Sequence, residues 1–420
     1  MATRGARQTI QRITRAKEAS FGTLPGVPTY IHLRAPQGGL ITPAQEMYPD
    51  ERWVTAAHET FAPFLGAKTT SIDMQVPLHR DIVADHGDTL ETALGRKRAG
   101  LGALVLGAGP NTVAQVTYVG AAAQVQIGDI LKITLAPSGK THYRPIKAIT
   151  AGVPNIATLA LQLPPLGADT ISAIANVFPS GGAQYHEDPT GLADTYFFAG
   201  DQDAEPDSVD YVARACIPSS VLLQLASTGR TFFTLAHSGA GYTQTTDANI
   251  DDPAALVGAA VQWSNDLWID PNLAAPGADP QPVFANGFTA ELAPAWELLE
   301  SFKSRTGTAL TTIADTPGIC WRRMKPFGTP VETKLTFADP NFITGTHEDR
   351  EANQIFIVLY GGQAGEDANG DVICLWLPQC RTAAKPVEIW DKQVKGHQIQ
   401  WQVEHDPTIG FKATLAIFRG

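Results

Sequence analysis

The sequence predicts a mainly β chain with few short helices. Three features predict it. Alternation of apolar and polar residues recurs along the 420 residues far more often than helical periodicity. Gly (38) and Pro (30) are plentiful, as short strands joined by many turns require. Charged residues make up 17%, below the usual value of about 25%, which suits buried strands better than solvated helices. The length leaves room for two or three domains with sizeable cores.

The N-terminal stretch "MATRGARQTIQRITRAK" holds Arg4, Arg7, Arg12, Arg15 and Lys17, with no acid before Glu18. No apolar core follows, so a secretory signal does not fit. An Arg-rich, acid-poor organellar presequence is the minor alternative. The favoured reading of residues 1–19 is a basic arm that docks on an acidic neighbour or stays mobile. No apolar run approaches the roughly 18 residues needed to span a bilayer, so no membrane partner is expected. The net charge of −11 argues against general nucleic-acid binding by phosphate neutralisation.

"HRDIVADHGD" (His79 to Asp88) packs two histidines and three aspartates into ten residues. A metal site would need a second ligand cluster, and none of comparable density exists, so a surface loop is the expectation. The helix following it is predicted from Asp88 and Glu91 at capping-box spacing, with Leu90 and Leu94 on one face.

"GALVLGAGPNTVAQV" (Gly102 to Val116) has the look of a dinucleotide-binding turn, with Gly107 and Gly109 ahead of Asn111. Thr112 stands at the third glycine position, no amphipathic helix follows, and Gly128-Asp129 reads as a turn before a strand. A glycine-rich connection between β-elements is expected instead, and no cofactor.

Strand candidates then follow in order: "LKITL" (Leu131 to Leu135), "TLALQL" (Thr158 to Leu163), "SVLLQL" (Ser220 to Leu225), "TKLTF" (Thr333 to Phe337) and "QIFIVLY" (Gln354 to Tyr360). "HQIQWQV" (His397 to Val403) alternates cleanly, with Ile399, Trp401 and Val403 inward. Asn369-Gly370 predicts a type I′ hairpin turn, because both residues tolerate positive φ. A break is expected at "FPSGGAQYHEDPTG" (Phe178 to Gly191). The stretch from Asp247 to Pro282, rich in Asp, Asn, Gly and Pro, predicts a domain boundary. "LAPAWELLESFKSRTG" looks helical locally, with Pro294 near a first turn and Gly307 as a stop.

Chemistry-bearing motifs are incomplete. Cys216, Cys320, Cys374 and Cys380 form no C-x-x-C pair and no zinc spacing, so buried reduced thiols are expected. "GTHEDRE" (Gly345 to Glu351) reads as a solvated turn. Asp367, Asn369 and Asp371 have calcium-loop spacing, but Val372 occupies the glycine position of such a loop. There is no G-x-S-x-G elbow and no P-loop. No catalytic, cofactor-binding or metal-ligating residue is nominated.

Taken in order, the strand blocks resemble the tail tube (major tail) proteins of long-tailed bacteriophages. "RAKEASFGTLPGVPTYIHLRAP" looks like the family's opening, and "KTTSIDMQVPLHRD" with "GDTLETALGRKRAGLG" is similar to its strand and short helix. "VQIGDILKITLAPSGKTHYRPIKAITAGVPNIATLALQLPPLGADTISA" resembles a β-module inserted in some members. "YVARACIPSSVLLQLASTGRTFFTLAHSGAG" resembles the strand pair completing a first tube domain. "GQAGEDANGDVICLWLPQC" and "HQIQWQVEHDPTIGFKATLAIFRG" look like the end of a second.

The resemblance implies tail-tube-type β-sandwich or barrel domains at 20–250, interrupted by the module at about 120–180, and at 283–420, with 251–282 as linker. It predicts strand where "APAWELLESF" looks helical. It also implies a structural virion protein, not an enzyme. Homotrimeric rings would stack into a conduit through which DNA slides without specific binding. Expected partners are further copies of the chain and the tail terminator, distal tail and tape measure proteins. The rival readings are a baseplate or receptor-binding protein, and, behind those, a flavin- or metal-dependent enzyme.

Overall fold

The computed structural model describes residues 12–33, 37–48, 64–78, 82–98, 104–121, 124–176, 182–188, 190–191, 193–201, 210–226, 232–245, 263–270, 285–300, 318–328, 330–336, 352–361, 371–391 and 394–418. The chain is mainly β, with one helix of more than a single turn among these residues.

In chain order, β1 (Arg12–Lys17), β2 (Tyr30–Leu33), β3 (Gln37–Tyr48) and β4 (Phe64–Pro77) lead to the helix α1 (Ile82–Leu94) and β5 (Gly95–Lys97). A module follows: β6 (Val105–Leu106), β7 (Gln115–Val119), β8 (Ile130–Ala136), β9 (Thr141–Thr150), β10 (Asn155–Leu159) and β11 (Thr170–Ala175). The first half ends with β12 (Ala183–Glu187), β13 (Tyr196–Asp201), β14 (Asp210–Ala226), β15 (Phe232–Gly239) and β16 (Gly241–Thr245). The second half contains β17 (Trp263–Asp270), β18 (Ala285–Glu300), β19 (Gly318–Gly328), β20 (Pro330–Thr336) and β21 (Asn353–Gly361). It closes with β22 (Val372–Thr382), β23 (Val387–Asp391), β24 (Val394–Val403) and β25 (Thr414–Phe418).

One antiparallel network runs through both halves. From β3 it passes through β4, β15 and β14, crosses to β18, and continues through β20 to β24. The end of β22 pairs with β24, and β22 then carries β21 and β17 on one edge and β25, β12 and β5 on the other. The inward residues recur with period two: Ile72, Met74 and Val76 on β4, Val221, Leu223 and Leu225 on β14, and Ile355, Ile357 and Leu359 on β21 belong to one buried cluster. The two expected domains therefore share a sheet and a core.

A smaller wing, β2–β1–β13–β14–β16, uses only the first residues of β14. The strand changes sheet near Ala215, which adopts a left-handed φ of 51°. Its amide donates to Glu18 Oε1 (2.9 Å), and its carbonyl accepts from Trp321 Nε1 (2.7 Å). Glu18 Oε2 also accepts from the Gly22 amide (2.8 Å) and the Thr195 hydroxyl (2.6 Å), so this buried carboxylate fixes the corner.

Helix α1 lies between the wing and the main sheet. Ile82, His86, Leu90 and Leu94, four residues apart, are all buried. A polar flank is enclosed as well: Arg15 donates to the Thr89 hydroxyl, and Thr92 Oγ1 lies 2.8 Å from the Tyr196 hydroxyl. At its C-terminus Arg323, from β19, donates to the carbonyls of Ala93 and Asp188, 2.6 Å each. Gly95, at φ +111°, turns the chain out of the helix.

Several expectations are corrected. Residues 12–17 of the expected basic arm form β1, held between β13 and β2, with Ile13, Thr14, Arg15 and Ala16 buried. Arg15 tolerates burial because it reaches Thr89, the Asp88 carboxylate (3.9 Å) and the face of Tyr196 (5.0 Å); Arg4 and Arg7 lie outside the described residues. The helix begins at Ile82, six residues before Asp88, so Asp85 and His86 are buried helical residues and not a surface loop. The capping-box spacing falls mid-helix.

"LAPAWELL" is strand, as the resemblance implies and against its local helical look. β18 runs to Glu300 because it pairs with β19 and sends the Trp296 indole to the Pro218 carbonyl (2.8 Å), and tertiary pairing overrides local helix propensity. The interval 251–282 contains β17, paired along its length with β21. The expected break at Phe178–Gly191 contains β12, buried along its whole length. The Asn369-Gly370 turn, Gly345 to Glu351, and Asp367 and Asn369 lie outside the described residues, though β21 and β22 do pair as antiparallel neighbours. Cys216, Cys374 and Cys380 are buried and Cys320 is exposed, all four as free thiols.

Candidate functional site

The module is a six-stranded sheet in the order β11–β8–β9–β10–β7–β6, curling so that β6 and β11 approach one another. The Gly107 loop sits between β6 and β7. Asn111 Oδ1 accepts from the Thr117 amide (2.7 Å), and Asn111 Nδ2 donates to the Gly107 carbonyl (3.1 Å). A side chain on Gly107 would meet Pro154 Cβ at 2.7 Å, and one on Gly109 would meet Thr117 Cγ2 at 2.7 Å. Both glycines serve close packing of this loop, and neither has a positive φ.

A dense polar constellation lies where the module meets the body. Asp129, ahead of β8, is fully buried. Arg98 grips it with two hydrogen bonds, Nε to Oδ1 at 2.9 Å and Nη2 to Oδ2 at 2.8 Å, and the Gln126 amide donates to Oδ2 (2.8 Å). His186 Nε2 on β12 lies 3.3 Å from Asp129 Oδ1, and its Nδ1 lies 3.1 Å from the Thr414 hydroxyl on β25. Burial pushes the Asp129 carboxyl up, but hydrogen bonds and charge from His186 and Arg98 outweigh it and hold the group below the usual carboxylate range. Burial dominates at His186 and lowers its pKa, against the opposing pull of Asp129.

Hydroxyl, imidazole and carboxylate thus stand in the order of a nucleophilic triad. Thr414 and His186 are both wholly buried, however, and the carboxylate is already engaged by Arg98. The arrangement offers a substrate no approach to the hydroxyl. What it does is fix the module to two body strands. Gln184 adds a second tie, its Oε1 accepting from the Ile130 amide (2.9 Å) and its Nε2 donating to the Ile130 carbonyl (3.2 Å).

Sequence reasoning did not find this knot. Its members lie 57 and 228 positions apart, and the one local signal was an isolated aspartate after Gly128 in a stretch otherwise free of charge. Of the His79–Asp88 cluster, Asp85 and His86 are buried in α1 and Asp88 faces Arg15, while His79 and Asp81 lie outside the described residues. Among the described residues, no group of three or more His, Cys, Asp or Glu is placed to hold a metal ion.

The exposed surface offers a different kind of site. On the β23–β24 hairpin, Trp390 is 69% exposed and Val387 60% exposed. Among the described residues β23 pairs only with β24, leaving a strand edge beside an exposed indole. The chain matches no protein-family model and no curated protein.

Proposed function

We propose that this chain is the tail tube protein of a long-tailed bacteriophage, a structural virion component and not an enzyme. The observation that carries the reading is the β23 edge with Trp390 and Val387 exposed beside it. An unpaired edge with a large exposed aromatic is a surface that seeks a partner, and Trp is enriched at protein interfaces. The order of strand blocks that resembles the tube family adds to it, as does the open edge of β17, paired among the described residues only with β21.

In this reading, edges of neighbouring copies join into homotrimeric rings, and a head-to-tail contact stacks the rings into a tube. Three copies at −11 carry a formal −33 per ring, which suits a wall along which DNA slides without binding. Tail terminator, distal tail and tape measure proteins would meet the tube, which is assembled in the host cytoplasm. Negative-stain microscopy of the concentrated full-length protein tests this. Hollow tubes, or rings that become tubes on concentration, are expected. A discrete trimer that never polymerises would favour a baseplate or receptor-binding protein, and a monomer at every concentration would remove the reading.

A further inference from the structure

The module is inserted between β5 and β12 of the first half, yet the surface it covers belongs to the second half. On β21, Ile355, Ile357 and Leu359 face the common core, while Phe356, Val358 and Tyr360 belong to a separate cluster beneath the module. Trp268, Trp376 and Phe418 extend that aromatic face, and Ile130, Tyr143, Ala160 and Leu161 of the module lie against it. The module also has a core of its own, built from residues such as Val116, Tyr118, Ile133 and Ile146.

The joint is made by side chains. Among the described residues no strand of the module pairs with any strand of the body, so no backbone ladder crosses it. Polar ties stand at its margin: Arg98 to Asp129, Gln184 to Ile130, and Gln354 Nε2 donating to the Ala160 carbonyl at 2.8 Å. The centre is apolar and aromatic apart from Arg144 of the module, a buried cation 4.9 Å from the centre of the Trp268 ring. Gln354 is itself oriented from the body, accepting from Trp376 Nε1 (3.1 Å) and donating to Asp270 (3.1 Å).

We propose that the module is a clasp: it is held together by its own core, secures the second half's outer sheet, and leaves as a unit, loosening that sheet, before its own ladder or the β4–β15 ladder opens. A body with its own ladder and core, attached through side chains alone, meets the condition for a separate cooperative unit. Its departure would expose an aromatic face that β17, β21, β22 and β25 cannot leave in water without loosening. The clasp stands on these contacts whichever assembly the chain enters.

Native-state hydrogen exchange of the full-length protein through a series of sub-denaturing urea concentrations tests it. The Ile130 amide, bonded to Gln184 Oε1, reports the joint. It is expected to open together with the β17–β21 amides, at lower urea than the β7–β10 ladder of the module or the β4–β15 ladder of the body. In Gln184→Met, Ile130 exchange should accelerate about tenfold, as for one lost buried hydrogen bond, with β7–β10 unchanged. If Ile130 opens only with β7–β10, the module unfolds instead of leaving; if only with β4–β15, there is no separate unit. Either result overturns the clasp, and the wild-type series decides even if the variant does not fold.

Discussion

Arg98 and Asp129 form a two-point ion pair at the root of the module, with side chains only 11% and 1% exposed. A bidentate pair this enclosed is asymmetric in its consequences: keeping both partners contributes little net stability, but removing one strands the other in a medium that cannot solvate it. Arg98→Met is therefore expected to destabilise the protein by about 3 kcal/mol, measured as a shift in the urea midpoint. The double variant Arg98→Met with Asp129→Asn should recover part of that loss. Equal destabilisation by the single and double changes would show that the uncompensated charge is not the cause.

His237 gives the fold an acid sensitivity. Its ring is fully enclosed, lies 4.8 Å from the Phe198 ring between centroids, and neither ring nitrogen has a hydrogen-bond partner among the described residues. Burial first, and the charge of Arg15 second, lower its pKa from the usual 6.5 to about 3. The unfolded chain thus takes up a proton in a range where the folded chain does not. The associated stability is complete above about pH 6.5 and drains away as pH falls toward 3. The slope from one such group is about 1.4 kcal/mol per pH unit. His237→Phe should flatten the fall in urea midpoint between pH 7 and 4, leaving the contribution of His186, whose pKa burial also lowers. Identical pH profiles for wild type and variant would contradict this.

Two glycines separate a backbone requirement from a packing one. Gly128 and Gly139 both have positive φ, at +93° and +75°. A Cβ on Gly139 would meet nothing within 4 Å, whereas one on Gly128 would stand 2.0 Å from the Phe411 ring. Gly139→Ala should cost about 1 kcal/mol, the left-handed penalty alone. Gly128→Ala should cost clearly more, by a further 1–3 kcal/mol or so from overpacking. Thermal unfolding of the two variants side by side gives the difference, and equal losses would mean that Phe411 moves aside freely.

The basic N-terminus is part of the fold from Arg12. Deleting residues 1–19 removes β1 from between β13 and β2, empties the site of Arg15 beneath α1, and takes Glu18 from the Ala215 corner. This truncation is expected to yield insoluble or unfolded protein, as judged by soluble yield and circular dichroism. A stable, soluble product would show that β1 is dispensable.

What was legible in the sequence was local and periodic. Ile399, Trp401 and Val403 alternate with polar residues and are buried as that pattern requires; the solid run from Gln354 to Tyr360 is a strand buried on both faces. What was not legible depends on partners distant in the chain. Trp296 sits in a segment with helical propensity and becomes strand because β19 and the Pro218 carbonyl receive it. Arg15 reads as a solvated cation until Thr89, Asp88 and Tyr196 are brought around it. The Asp129 knot joins three strands' surroundings that no short motif links. Period reports which face a residue takes; it carries no record of which remote residue satisfies a buried charge.

Trp390 separates folding from assembly. Its indole is 69% exposed on a strand paired only with β24 among the described residues, and Glu388 and Lys395 already brace that pairing with a 2.7 Å ion pair. Replacing it should therefore leave the fold intact, since little buried area is lost, and Trp390→Ser is expected to match wild type in thermal unfolding. If the hairpin edge is where copies meet, the same change removes an aromatic anchor worth about 2 kcal/mol at an interface, which raises the concentration needed for assembly about thirtyfold. Sedimentation velocity across a concentration series, with microscopy of the pelleted material, reads this directly. Raising salt should not rescue the variant, because the lost contact is apolar and weakly screened. Assembly at the wild-type concentration would place the contact elsewhere and leave the β17 edge as the surface to alter next.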